Sequence, residues 1–147
     1  MFATIEVVNV ALALHILGVV FAFGVLLAVP VAAPAMRRSS PTAGSTVAGL
    51  QLALAQTVVR WGGLLVLLSG IYMAADLDLF SEWWVTTPLV ILFVIFGFND
   101  GFLVPRYREL VQDSGDEVKL QQTAVAERGL ALLVLLAVLV MVLGPYV

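Results

Sequence analysis

Four long stretches of this chain are apolar on every side, and that feature constrains the fold more than any other. They cover 7–33, 61–75, 85–104 and 129–147, and the first is broken only by Asn9, His15 and Pro30. A helix with one apolar stripe lies on a soluble core, whereas a helix apolar all round is a membrane span. Lipid admits only helices and closed barrels, because every backbone polar group must be satisfied internally. Runs this long, without alternation, select helices. A span takes roughly 20 residues, so 147 residues hold about four with their connections. The expected fold is all-α, a polytopic membrane four-helix bundle. It forms a single domain over 1–147 with helices near 7–33, 45–75, 85–104 and 124–144.

Composition removes most other classes. The chain is 62% hydrophobic and 12% charged, against about a quarter charged in a soluble domain. Seven Lys and Arg against ten Asp and Glu leave a net charge of -3, which does not suit a nucleic-acid partner. With no Cys, disulfides, iron–sulfur clusters and thiol nucleophiles are excluded. One His means that no single chain can offer two histidine ligands. No phosphate-binding glycine loop, Ser/His/Asp order or metal motif is present.

The first run is expected to be retained rather than cleaved as a signal peptide. Glu6 and no Lys or Arg precede it, and it is about twice the usual signal core. The connections then set an orientation. Arg37, Arg38 and the polar segment through Pro41 to Thr46 form the first, and Arg106, Arg108 and Lys119 lie in the third, at 105–122. The second, at 76–84, holds Asp76, Asp78 and Glu82 and no cation. Cytoplasmic loops are enriched in Lys and Arg. The first and third connections are therefore expected in the cytoplasm, with the second and both termini outside. Tyr72, Trp83, Trp84 and Tyr146 would form the outer aromatic belt. The acids of the second connection lack calcium-loop spacing and read as a solvated loop.

Charged groups inside a span are paired or functional. Arg60 lies 16 residues before Asp76, and Asp100 lies 16 residues after Trp84, so both sit about 24 Å from the outer end. Glu127 and Arg128 open the fourth helix at that level. Arg60, Asn99, Asp100, Glu127 and Arg128 are thus expected to share one buried polar layer, with Arg60 contacting Asp100 or Glu127. The layer either registers the bundle or forms a binding or proton-relay site.

His15 lies nine residues after Glu6, about 13 Å into the bilayer. A lipid-facing imidazole would leave its nitrogens without partners, at a cost of several kcal/mol. It is expected to face the second helix near Ser69, with Met73 at similar depth. Its candidate roles are a structural hydrogen bond, a proton carrier, or an axial ligand to haem with Met73 as the second. Small residues should mark helix contacts: Gly18, Gly24 and Ala28; Gly62, Gly63 and Gly70; and the Gly97–Gly101 pair.

Several short motifs carry a resemblance. Helix one has Ala13-Leu14-His15-Ile16-Leu17-Gly18, Phe23-Gly24, Pro30 and Arg37-Arg38; helix two has Arg60-Trp61-Gly62 and Leu68-Ser69-Gly70-Ile71-Tyr72. A Trp pair opens helix three, and helix four runs from Glu127-Arg128-Gly129-Leu130 to Gly144-Pro145-Tyr146. This order resembles a group of small bacterial four-helix membrane proteins. The group takes in uncharacterised integral membrane proteins, the copper-resistance-D-type membrane domain and the HemJ-type protoporphyrinogen oxidases. In the oxidases the resemblance makes His15 the haem-ligating histidine. Those enzymes carry a Lys after the Trp that opens helix three and an Asn before the Glu that opens helix four. Here Val85-Thr86-Thr87-Pro88 follows the Trp pair and Ala126 precedes Glu127, so the chain is most similar to the uncharacterised members.

The expected function is that of a small bacterial inner-membrane protein, an accessory subunit of a larger membrane complex rather than an enzyme. Its partners are the bilayer and other membrane subunits or itself, with no nucleic acid and no required cofactor. The alternatives are a haem b-binding oxidoreductase of the protoporphyrinogen oxidase type and a small proton-coupled transporter.

Overall fold

A computed structural model describes residues 2–40 and 42–146, with side chains from residue 6 onward. Residues 1, 41 and 147 lie outside it, and with them Pro41 of the first connection and the last residue of the fourth apolar run. Among the described residues there is no strand. Four long helices are joined by connections at 40–42, 77–82 and 113–116, and each is long and apolar enough to cross a membrane. They are α1 (Phe2–Ser39), α2 (Ala43–Asp76), α3 (Trp83–Gln112) and α4 (Glu117–Tyr146). Connections this short return each helix antiparallel to the one before. We call the end holding the 77–82 connection the acidic end.

The packing inverts that of a soluble bundle. Large apolar side chains turn outward, among them Val31, Trp61, Leu68 and Leu132, each about two-thirds exposed or more. Ala22, Phe23, Leu26, Val59, Val66, Ile95, Leu130 and Val134 turn inward and form the core. Helix α1 lies along the second half of α2 most extensively of all pairs. A Cβ on Gly18 would stand 2.8 Å from the carbonyl oxygen of Gly62, and one on Gly62 would stand 3.1 Å from Ala22 Cβ. Gly18 and Ala22 thus face Gly62 and Val66 at four-residue spacing, and the two backbones touch. This is how small residues bring helices together in lipid. The Gly97–Gly101 pair marks no such contact. Both are exposed, with open space where a Cβ would lie, as is Gly24. Membrane helices carry such glycines freely. Trp83, Tyr72 and Tyr146 are exposed at the acidic end, while Trp84 packs on Gly144.

Two helices contain a wide π turn, at Ala55–Val59 in α2 and Asn99–Leu103 in α3. The two turns touch each other. Thr57 bonds back to the Ala53 carbonyl at 2.5 Å, a habit that bends helices. In α3 the wide turn stands just before Pro105, whose ring would otherwise crowd the carbonyl of Gly101. This explains why the third connection is much shorter than 105–122. Helix α3 passes through Pro105 to Gln112 on an amphipathic segment that buries Val104, Tyr107 and Leu110 at three-residue spacing. Helix α4 starts at Glu117, before the expected 124, because Asp116 caps it by accepting the Lys119 amide at 3.0 Å. That amide, with the Lys119 charge, holds the Asp116 carboxyl below its ordinary range. Likewise Arg37 and Arg38 are helical, in the last turn of α1.

Candidate functional site

At the level of the two π turns, the bundle holds polar groups from all four helices. Glu127 of α4 is buried, and its Oε1 accepts from Gln51 Nε2 of α2 at 2.6 Å and from Tyr107 OH of α3 at 2.8 Å. Gln51 in turn accepts from Arg37 Nη2 of α1 at 2.6 Å. Gln51 therefore links a carboxylate to a guanidinium, and the chain from Arg37 to Tyr107 ties all four helices together. Burying a charge is costly unless it is paired and hydrogen-bonded. Here the carboxylate has two donors, and a cation lies one side chain away.

Asn99 sits beside this chain, 1% exposed. Its Nδ2 faces two acceptors, Asp100 Oδ1 at 3.0 Å and the Ala55 carbonyl at 3.4 Å, which fixes the amide orientation. Its Oδ1 is buried with no protein partner. Asn99, Glu127, Gln51 and Tyr107 line a cavity of about 10 Å³, the room one water needs.

The expected single layer is therefore divided in two. Asn99 and Glu127 belong to the interior, whereas Arg60 and Asp100 form a half-exposed ion pair at the rim, Nη2 to Oδ1 3.0 Å. Exposed pairs of this kind contribute under about 1 kcal/mol. Arg128 is exposed and takes part in none of the ion pairs among the described residues. Depth along a helix places residues at one level but not on one face. Arg37, Gln51 and Tyr107 complete the cluster and were not expected there. In the structure Gln51 forms a buried row with Ala55 and Val59 at four-residue spacing.

Toward the acidic end lies a second site. His15 Nδ1 stands 3.0 Å from the Val66 carbonyl and 3.2 Å from Ser69 Oγ, so the imidazole meets α2 near Ser69, where its depth placed it. Gly70 leaves room for the ring, since a Cβ there would stand 3.1 Å from His15 Cε1. The imidazole is set into the wall of a cavity of about 200 Å³ built from all four helices. The other lining side chains are apolar, including Phe23, Phe80, Leu92 and Val138. The methionine on this wall is Met141 of α4 and not Met73. The α2 positions that line the cavity include Val66, Gly70 and Ala74, a four-residue row that passes beside Met73. Met73 therefore does not join His15 in a ligand pair. The volume falls short of the 300–1,000 Å³ usual for drug-sized ligands, and no Lys or Arg lines it. A haem, larger than such ligands and bearing two carboxylates, does not fit these residues.

A scan against protein-family models and searches of curated proteins and of solved structures found no match to this chain.

Proposed function

We propose that this chain is a small multi-pass membrane protein that binds one apolar small molecule in the cavity beside His15. It does so as an accessory subunit of a larger assembly in the bacterial inner membrane, rather than as an enzyme. The observation that carries this reading is the cavity itself: about 200 Å³, apolar apart from one imidazole, and walled by all four helices. A single convergent polar group in an apolar pocket is the usual design of a small-molecule site. One His and no Cys in the whole sequence leave little for redox or nucleophilic chemistry. The haem-binding alternative would draw on the same imidazole, but the room and the wall favour a smaller, uncharged ligand.

The test is direct. Protein purified in gentle detergent is extracted with organic solvent, and the extract is analysed by mass spectrometry. The expected result is one apolar compound retained in stoichiometric amount and lost from Val138→Trp, which fills the cavity. An intact fold with nothing retained, and no uptake of an added alkylbenzene, would overturn the binding role. Native mass spectrometry of the same preparation reads the accessory role through co-eluting subunits, and a free monomer would count against it.

Lys and Arg at one end support an orientation with the acidic end outside. A cysteine introduced at Ser81 is then expected to react with an impermeant reagent added to intact cells, and one at Ser114 to stay unlabelled. The reverse pattern would invert the assignment.

A further inference from the structure

The hydrogen bonds around His15 determine which kind of polar group its cavity accepts. Both neighbours of Nδ1 are acceptors. The Val66 carbonyl can do nothing else, and Ser69 has already given its hydroxyl proton to the Leu65 carbonyl at 2.5 Å. Nδ1 must therefore carry the proton. No carboxylate lines the cavity to balance an imidazolium, so the ring is neutral. In a neutral imidazole with Nδ1 protonated, Nε2 is a bare acceptor. It has no hydrogen-bond partner in the protein among the described residues. The Nδ1–Cε1 edge of the ring lies against Val66 and Gly70, and His15 is one of the residues that line the cavity.

We infer that the cavity selects an uncharged lipophile carrying a hydroxyl, a phenol, hydroquinone or long-chain alcohol, whose O–H donates to His15 Nε2. This rests on the proposed binding role and adds to it a chemical requirement. A ketone, quinone or ether of the same shape would bring an acceptor to an acceptor and leave both unpaired, which is costly in an apolar pocket. Ligand selection by one hydrogen bond works best in this way, through the penalty on the analogue that lacks the donor. A volume of about 200 Å³ holds an aromatic ring and a few methylenes, and a longer chain leaves through the open side.

The test uses a matched pair, para-nonylphenol and its methyl ether, titrated into the detergent-purified full chain. The phenol is expected to bind about five- to tenfold tighter, the worth of one hydrogen bond. In His15→Phe the two should bind equally. Because His15 is the only histidine, nitrogen NMR of a histidine-labelled sample gives one imidazole. It should show Nδ1 protonated in the free protein and a shift of Nε2 when the phenol, but not the ether, is added. Equal binding of the two probes to the native protein, or a ring protonated at Nε2, would overturn the hydroxyl requirement while leaving apolar binding intact. Failure of both probes to bind would remove the binding role as well. An ether preference would reverse the inference.

Discussion

Replacing Glu127 by Leu is expected to cost the bundle about 2–5 kcal/mol, one of the two largest losses from a single substitution in this chain. The side chain fits the space, so the loss is electrostatic. Without Oε1 the buried amide of Gln51 and the hydroxyl of Tyr107 each lose their acceptor, and Arg37 loses the anion behind Gln51. Each orphaned buried donor costs about 1–3 kcal/mol. Glu127→Gln retains a carbonyl oxygen where both donors converge and is expected to cost about 1 kcal/mol. Tyr107→Phe, which takes away one donor and orphans nothing, should cost about the same. The measurement is reversible unfolding in mixed micelles of increasing denaturing detergent. If Leu and Gln at position 127 destabilise equally, shape rather than hydrogen bonding governs the site, and the network account fails.

Gly18→Leu should be comparably damaging for a different reason. A Cβ at this position would lie 2.8 Å from both the Gly62 carbonyl oxygen and Val66 Cγ2, and the carbonyl, being backbone, cannot give way. Overfilling a packed contact usually costs about 1–3 kcal/mol, and more when no side chain can give way. We expect about 3 kcal/mol here. Helix α1 must move away from α2, and His15, one turn earlier, then leaves the Val66 carbonyl. Ligand binding and stability should fall together. Gly97→Leu provides the control, since open space surrounds that residue, and it should be nearly silent. Since Leu is a better helix former than Gly, equal losses at 18 and 97 would mean that the contact with Gly62 does not set the effect.

The parts of this structure that were legible in the sequence depend on distance along a helix, and the parts that were not depend on angle around it. Four uniformly apolar runs could only become spanning helices, and counting residues from a charged end placed Arg60 level with Asp100 and His15 level with Ser69. The same count placed Met73 beside His15 and Arg128 beside Asp100. There it misled, because those side chains occupy other faces. Gln51 precedes the second apolar run in the sequence, and hydropathy alone gives it no place in the core, yet it lies at the centre of the buried network. Pro105 and its charged neighbours had the composition of a loop. A wide turn upstream let the helix continue, and an apolar row of Val104, Tyr107 and Leu110 held it to the bundle. Neither the position of such a turn nor its effect on facing is encoded in hydropathy.

The paired wide turns also make chain length itself carry information. An α-helix advances about 100° per residue, and a π turn accommodates in effect one residue more than its α counterpart. Each turn thus absorbs one residue between the two halves of α2 and of α3 without changing how either half faces. Deleting one residue within Ala55–Val59 would leave the facing of Ser69 and Gly70 toward His15 unchanged. It would also keep Gln51 facing Glu127, because the wide turn closes to an ordinary α turn, whereas the same deletion in a plain α stretch would swing everything beyond it by about 100°. The wide turns are the places in α2 and α3 where a change of chain length is absorbed, so the imidazole cavity and the carboxylate network both keep their facing across it.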